Sequence, residues 1–232
     1  MHIPDGFIDF PTSAGAGVVA AGAIGVCVKQ ASKAIDDREV PLAGLAAAFV
    51  FSVQMLNFPV ASGTSGHLLG GALAAVLVGP WLGPVCVAVV LVVQGLLFAD
   101  GGLSALGLNV VNMAAIGAWG GYLVFVGLRS VLPRARSSIV AGAAIAAGLS
   151  VPLAALGFTL QYAIGGNDAT SVSTVAAAMV GTHLLIGIGE GIITAMTVSA
   201  VMAVRPDLVY GARGYAFAPI ATRIPATTAV GG

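Results

Sequence analysis

His2, His67 and His183 are the only histidines in this 232-residue chain, and His2 stands where a terminal chelate can form. A free α-amine at Met1, the amide nitrogen of His2 and the His2 Nδ1 would close two fused rings on one metal ion. His67 would supply a fourth nitrogen. Four nitrogens in a plane suit Ni(II) or Cu(II). Amide coordination displaces a proton, so affinity should rise with pH. The plain alternative for residue 2 is a frayed chain end.

The surroundings of His67 strengthen the metal reading. It closes the stretch Asn57–His67, where Pro59, Gly63 and Gly66 mark a turn-rich loop that could re-enter a membrane. The pattern puts His67 at the start of the third apolar helix. A metal-bound imidazole usually has its other ring nitrogen held, and Thr64 and Ser65 are the nearest candidates. Gln94 falls at the end of the fourth apolar run, and Asn109 and Asn112 begin the fifth. Polar residues at membrane depth face the protein interior, so these amides would line a polar pocket with His67. The alternative is that they only join helices. His183 and Glu190 stand two helical turns apart and share a face. Glu190 reads as structural rather than proton-coupling, because His183 is the only basic side chain beside it in mid-membrane. Asp5, Asp9, Asp100 and Asp168 would sit at the outer surface, where they could attract cations, although Asp100-Gly101-Gly102 also reads as a plain turn.

The elements that must position these residues are apolar spans. Hydrophobic residues make up 58% of the chain and charged ones 8%, with nine basic, nine acidic and no net charge. That composition excludes a basic nucleic-acid binder and a disordered chain. It predicts an all-α, polytopic membrane protein. Seven spans are expected, at 12–28, 41–58, 67–78, 83–99, 108–128, 138–164 and 173–204. With the N-terminus outside and the C-terminus inside, all nine Lys and Arg fall on the inner side. The expected divisions are an N-terminal arm (1–11), a transmembrane domain (12–204) and a loose cytoplasmic tail (205–232). Cys27 and Cys86 read as packing residues. No Gly-x-x-x-x-Gly-Lys-Ser/Thr loop occurs, so any ATPase must be another subunit. No Gly-x-Ser-x-Gly or His-Glu-x-x-His supports an intramembrane hydrolase. An autonomous metal channel fits poorly with a tight, slowly exchanging chelate.

Four blocks resemble one family. They are Met1-His-Ile-Pro-Asp-Gly-Phe7, Gln54–Ala72, Leu96-Leu-Phe-Ala-Asp-Gly-Gly-Leu103 and His183-Leu-Leu-Ile-Gly-Ile-Gly-Glu-Gly191. Together they are similar to the CbiM/NikM family, the cobalt/nickel substrate-binding (S) components of energy-coupling-factor ABC transporters. The resemblance implies a multi-pass cell-membrane protein, not an enzyme, that captures Ni2+ or Co2+ as transported substrate. It implies metal ligation by the Met1 amine, the His2 amide and imidazole, and His67, with the arm folded into the helical bundle. It implies one span added to a six-helix core. It also implies a transmembrane T component and separate ATPase subunits as partners, with a small auxiliary subunit in some systems.

Overall fold

Asp9 ends the N-terminal arm by capping the first helix: its Oδ1 accepts the Thr12 amide at 2.9 Å, and Pro11 occupies the first turn. The computed structural model describes residues 1–35, 39–60 and 65–217. Along it run α1 (Phe10–Ala34), α2 (Glu39–Gln54), α3 (Gly71–Val78), α4 (Leu82–Leu97), α5 (Leu106–Val110), a π-helical segment (Val111–Gly120), α6 (Gly121–Val131), α7 (Arg136–Gly165) and α8 (Val172–Val204). A two-residue strand pair, β1 (Phe58–Pro59) with β2 (Ser65–Gly66), closes the α2–α3 loop. Among the described residues the protein is otherwise helical.

Four helices are long and apolar enough to cross a membrane: Phe10–Ala34, the continuous Leu106–Val131, Arg136–Gly165 and Val172–Val204. α2 and α4 are apolar but have 16 residues each. The third expected span, 67–78, is shorter in the structure. Its helix starts at Gly71, so His67 lies in the preceding loop, and α3 has only eight residues. Eight residues rise about 12 Å, against about 30 Å of hydrocarbon. Every residue of α3 is buried, which makes it the centre of the bundle. It packs on α2, α4, the π segment and α7.

α7 and α8 form the most extensive helix pair. A Cβ on Gly187 would come within 2.4 Å of the Gly148 carbonyl oxygen, so the two backbones touch. That carbonyl is the one Pro152, lacking an N–H, cannot serve.

Two apolar cores result. One surrounds the arm and includes Met1, Ile3, Leu69, Leu108, Phe158 and Tyr162. The other, toward the far ends of the helices, contains Phe125, Ile139, Met202 and Val209. Val209 belongs to a region expected as a loose tail. Its described part instead makes two short 3-10 turns, Pro206–Leu208 and Tyr210–Ala212. Arg129 at the end of α6 lies over the Tyr215 ring and donates to the Arg213 carbonyl, which seats this segment on the helix ends.

Candidate metal centre

The arm is stitched into the bundle along its whole length. The Ile3 amide donates to Asn109 Oδ1 at 2.8 Å, and Asn109 Nδ2 donates back to Ile3 O at 3.3 Å. Gly102 N donates to the same Ile3 carbonyl at 2.8 Å. Asp5 Oδ1 accepts from both the amide and the hydroxyl of Ser104. Asn167 holds the peptides of Gly6 and Phe7, and Asp9 N donates to Gly165 O at 2.7 Å. Met1 and Ile3 are fully buried and His2 is 4% exposed. An arm bonded at this many points is no frayed terminus.

The contact surface under His2 is built from glycine. Gly101 has φ +93°, and a Cβ there would stand 3.0 Å from His2 Nδ1. A Cβ on Gly102 would strike the Asp5 amide at 2.3 Å. The Asp100-Gly101-Gly102 turn therefore provides both the backbone angle and the clearance that let the arm lie flat.

The His2 and His67 rings have centroids 4.6 Å apart and planes inclined by 28°. His67 Nδ1 lies 2.7 Å from the Leu68 carbonyl, which can only accept. Nδ1 therefore carries the proton, and the buried Nε2 keeps its lone pair with no protein partner. His2 Nε2 faces Asp100 Oδ2 at 3.4 Å. Burial, and then the amine's field, pushes the His2 pKa down to about 3, so the contact is no ion pair at neutral pH. Burial likewise drives the Met1 amine well below its usual pKa, against an upward pull from Asp100. Burial thus favours, at both the amine and the His2 ring, the unprotonated form that a metal needs.

Met1, His2 and His67 come together. The remaining expected residues have separate places. Asn109 clamps the arm at Ile3 instead of lining a pocket. Asn112 joins the π segment to α7 through Gln161 Oε1 at 2.7 Å. Gln94 is fully buried, its two side-chain polar atoms have no protein partner, and its carbonyl accepts the Phe98 and Asp100 amides. His183 is buried, with Nδ1 on the Met179 carbonyl at 2.7 Å. Ser65 lies in β2. Thr64 lies outside the described residues.

Asp100 reads from the sequence as an outer-surface acid in a turn; the closeness of its carboxylate to His2, 98 positions away, is what sequence reasoning missed. Asn57 Nδ2 holds that carboxylate at 2.7 Å. The other acidic residues near the arm are engaged locally: Asp5 with Ser104, Asp9 as a cap, and Asp168 with the Thr170 amide. Among the described residues, no three His, Cys, Asp or Glu side chains form a metal-holding group. The donors gathered here are mainly nitrogens of the chain end.

Comparison with known proteins places the chain in a family. Residues 2–208 match the CbiM family model, described as the cobalt uptake substrate-specific transmembrane region. The fused nickel transport protein NikMN of Rhodobacter capsulatus is 34% identical over 220 residues, covering 90% of this chain and 63% of that longer protein. The cobalt transport protein CbiM of Sorangium cellulosum is 37% identical over 174 residues, 72% of this chain and 75% of its own. The crystal structure of a truncated transition metal transporter superposes with a TM-score of 0.81 at 31% identity, covering 87% of this chain and 98% of that one. The relatives are transporters rather than enzymes, and the apolar helices fit a multi-pass membrane protein. The chain belongs to the CbiM family of nickel and cobalt transport proteins.

Proposed function

We propose that this chain is the metal-capturing S component of an energy-coupling-factor importer, taking Ni2+, or alternatively Co2+, from outside the cell. The Met1 amine, the His2 amide nitrogen, His2 Nδ1 and His67 Nε2 are the four donors. Seven crossings with an outside N-terminus place the arm where external metal reaches it, and α3 is the short central one. A T component, separate ATPase subunits and, in some systems, a small auxiliary subunit energise uptake.

The separation of the two imidazoles carries this reading. In the chelate, the His2 amide occupies the middle corner, so His67 takes the corner next to His2 Nδ1. A metal–nitrogen bond of about 2.0 Å puts each ring centroid about 3.2 Å from the metal. Two rings at adjacent corners of a square then lie about 4.5 Å apart, by the same bond length. The two rings stand 4.6 Å apart, stacked with their planes inclined by 28°, so the match to the square lies in the centroid separation. The Leu68 carbonyl at His67 Nδ1 supplies the outer partner that a ligating histidine requires, and Asp100 Oδ2 stands 3.4 Å from His2 Nε2.

The test is a chain carrying one extra residue before Met1. The extension turns the amine into an amide and moves His2 out of second place. High-affinity nickel binding, read by calorimetry on detergent-purified protein, should disappear. Equal binding by the extended and native chains overturns the chelate.

A further inference from the structure

Glu190 is a buried carboxylate on α8 with no role in the chelate. Its two oxygens accept consecutive main-chain amides of the loop before α3: Leu69 N to Oε2 at 2.8 Å and Gly70 N to Oε1 at 2.6 Å. From the opposite side, Gln54 Nε2 of α2 donates to the Leu69 carbonyl at 2.6 Å. The Leu69 N–H belongs to the same planar peptide as the Leu68 carbonyl. That carbonyl accepts the Nδ1 proton of His67 at 2.7 Å. One rigid peptide unit thus connects the Glu190 carboxylate at its N–H end to the His67 ring at its C=O end.

We propose that Glu190, assisted by Gln54, is a positioning residue for metal ligation by His67. The inference rests on the four-nitrogen chelate proposed above. Holding the Leu69 N–H fixes the tilt of the 68–69 peptide. The peptide carbonyl in turn fixes the Nδ1–H tautomer and the rotation of the ring, leaving Nε2 as the donor. A carboxylate on the N–H also polarises the peptide and strengthens the grip of its carbonyl on Nδ1–H. Two amides side by side need two acceptors, which a carboxylate supplies and a side-chain amide does not.

The experiment is a double-mutant cycle on the full chain with its native N-terminus, titrated with Ni(II) in detergent. Calorimetry gives the affinity, and the visible absorption band reports the nickel coordination. Glu190→Gln should weaken binding by about 10- to 100-fold and shift the band as His67→Ala does, the usual cost of losing an outer partner of a ligand. In the His67→Ala background, Glu190→Gln should add less than about 2-fold, because a residue acting through His67 has nothing left to act on. Wild-type affinity for Glu190→Gln beside a weakened His67→Ala overturns the positioning role, as do fully additive losses in the double variant. Wild-type affinity for His67→Ala overturns the chelate itself, and this inference with it. Gln54→Leu, which frees the Leu69 carbonyl, should weaken binding in the same direction. If thermal unfolding shows that Glu190→Gln does not fold, a folded Gln54→Leu protein that binds nickel as wild type overturns the proposal.

Discussion

Alanine at Gly101 separates two effects that the structure predicts to be independent. The first is backbone strain. Gly101 has φ +93°, and a left-handed conformation costs an L-residue about 1–2 kcal/mol. That strain is present with and without metal, so it lowers folding stability and cancels from the binding constant. The second effect is contact. The new Cβ would stand 3.0 Å from His2 Nδ1 and 3.1 Å from Asn109 Nδ2. A comfortable contact is about 3.5 Å, so the ring or the arm clamp must yield by about 0.5 Å. The yielding atom is a proposed donor, and the fold should cost about 10- to 100-fold in nickel affinity, as other disturbances behind a ligand do. That range is about 1.4–2.8 kcal/mol. Gly6→Ala is the matched control. Gly6 lies in the same arm with φ +75°, but a Cβ there meets nothing within 4 Å. Thermal unfolding should show similar losses for both variants, while calorimetry should show weaker nickel binding only for Gly101→Ala. Unchanged affinity in both variants removes His2 Nδ1 from the donor set. Equal loss in both assigns the effect to the backbone and refutes the contact argument.

Nickel affinity should rise by about tenfold per pH unit near neutrality, because the Met1–His2 amide surrenders one proton to the metal. Burial lowers the amine pKa and takes that of the His2 ring down to about 3, which reduces the protons those two donors must release; an affinity flat between about pH 6.5 and 8 contradicts amide ligation. Gly187→Ala drives a methyl to 2.4 Å from the Gly148 carbonyl and should lower stability by about 1–3 kcal/mol in thermal unfolding.

The chemistry of the chain end is legible in two residues, because a terminal amine, an amide and a histidine at position 2 lie on consecutive atoms. Long-range partners leave no such mark. Asp100 reads as a turn because its local sequence is one; only the fold sets that turn beneath His2. Glu190 reaches Leu69 across 121 positions and Gln54 reaches it across 15, and neither spacing belongs to any local pattern. Hydropathy finds the apolar run around α3 but cannot tell a helix wrapped in protein from one facing lipid, since both are continuously apolar. Asn109 looks like a pocket amide by depth alone. It is instead bonded to the Ile3 peptide 106 positions away. Pro, Gly and Arg after Val204 resemble a loose tail. Yet Val209 and Ala212 complete the second core, and Tyr215 lies under Arg129 of α6.

The donor chemistry also explains how such a centre sorts cations. Hard ions such as Mg2+ and Ca2+ take oxygen ligands and would find none in the proposed first shell. The nearby carboxylates are committed elsewhere: Asp5 holds Ser104, Asp9 caps α1, and Asp100 stands behind His2 on the side away from Nδ1. A nitrogen-only set that includes an ionised amide favours the later first-row metals. Selection then follows from which atoms the arm presents, with no need for a cavity shaped to one ionic radius. The fold's contribution is to hold the arm still, through Asn109, Gly102, Ser104 and Asn167. Three of the four proposed donors sit on Met1 and His2, so their geometry is set by how the backbone docks and by one histidine rotamer. The fourth, His67, is the only proposed donor brought from elsewhere in the chain, and the loop that follows it is held from α2 by Gln54 and from α8 by Glu190.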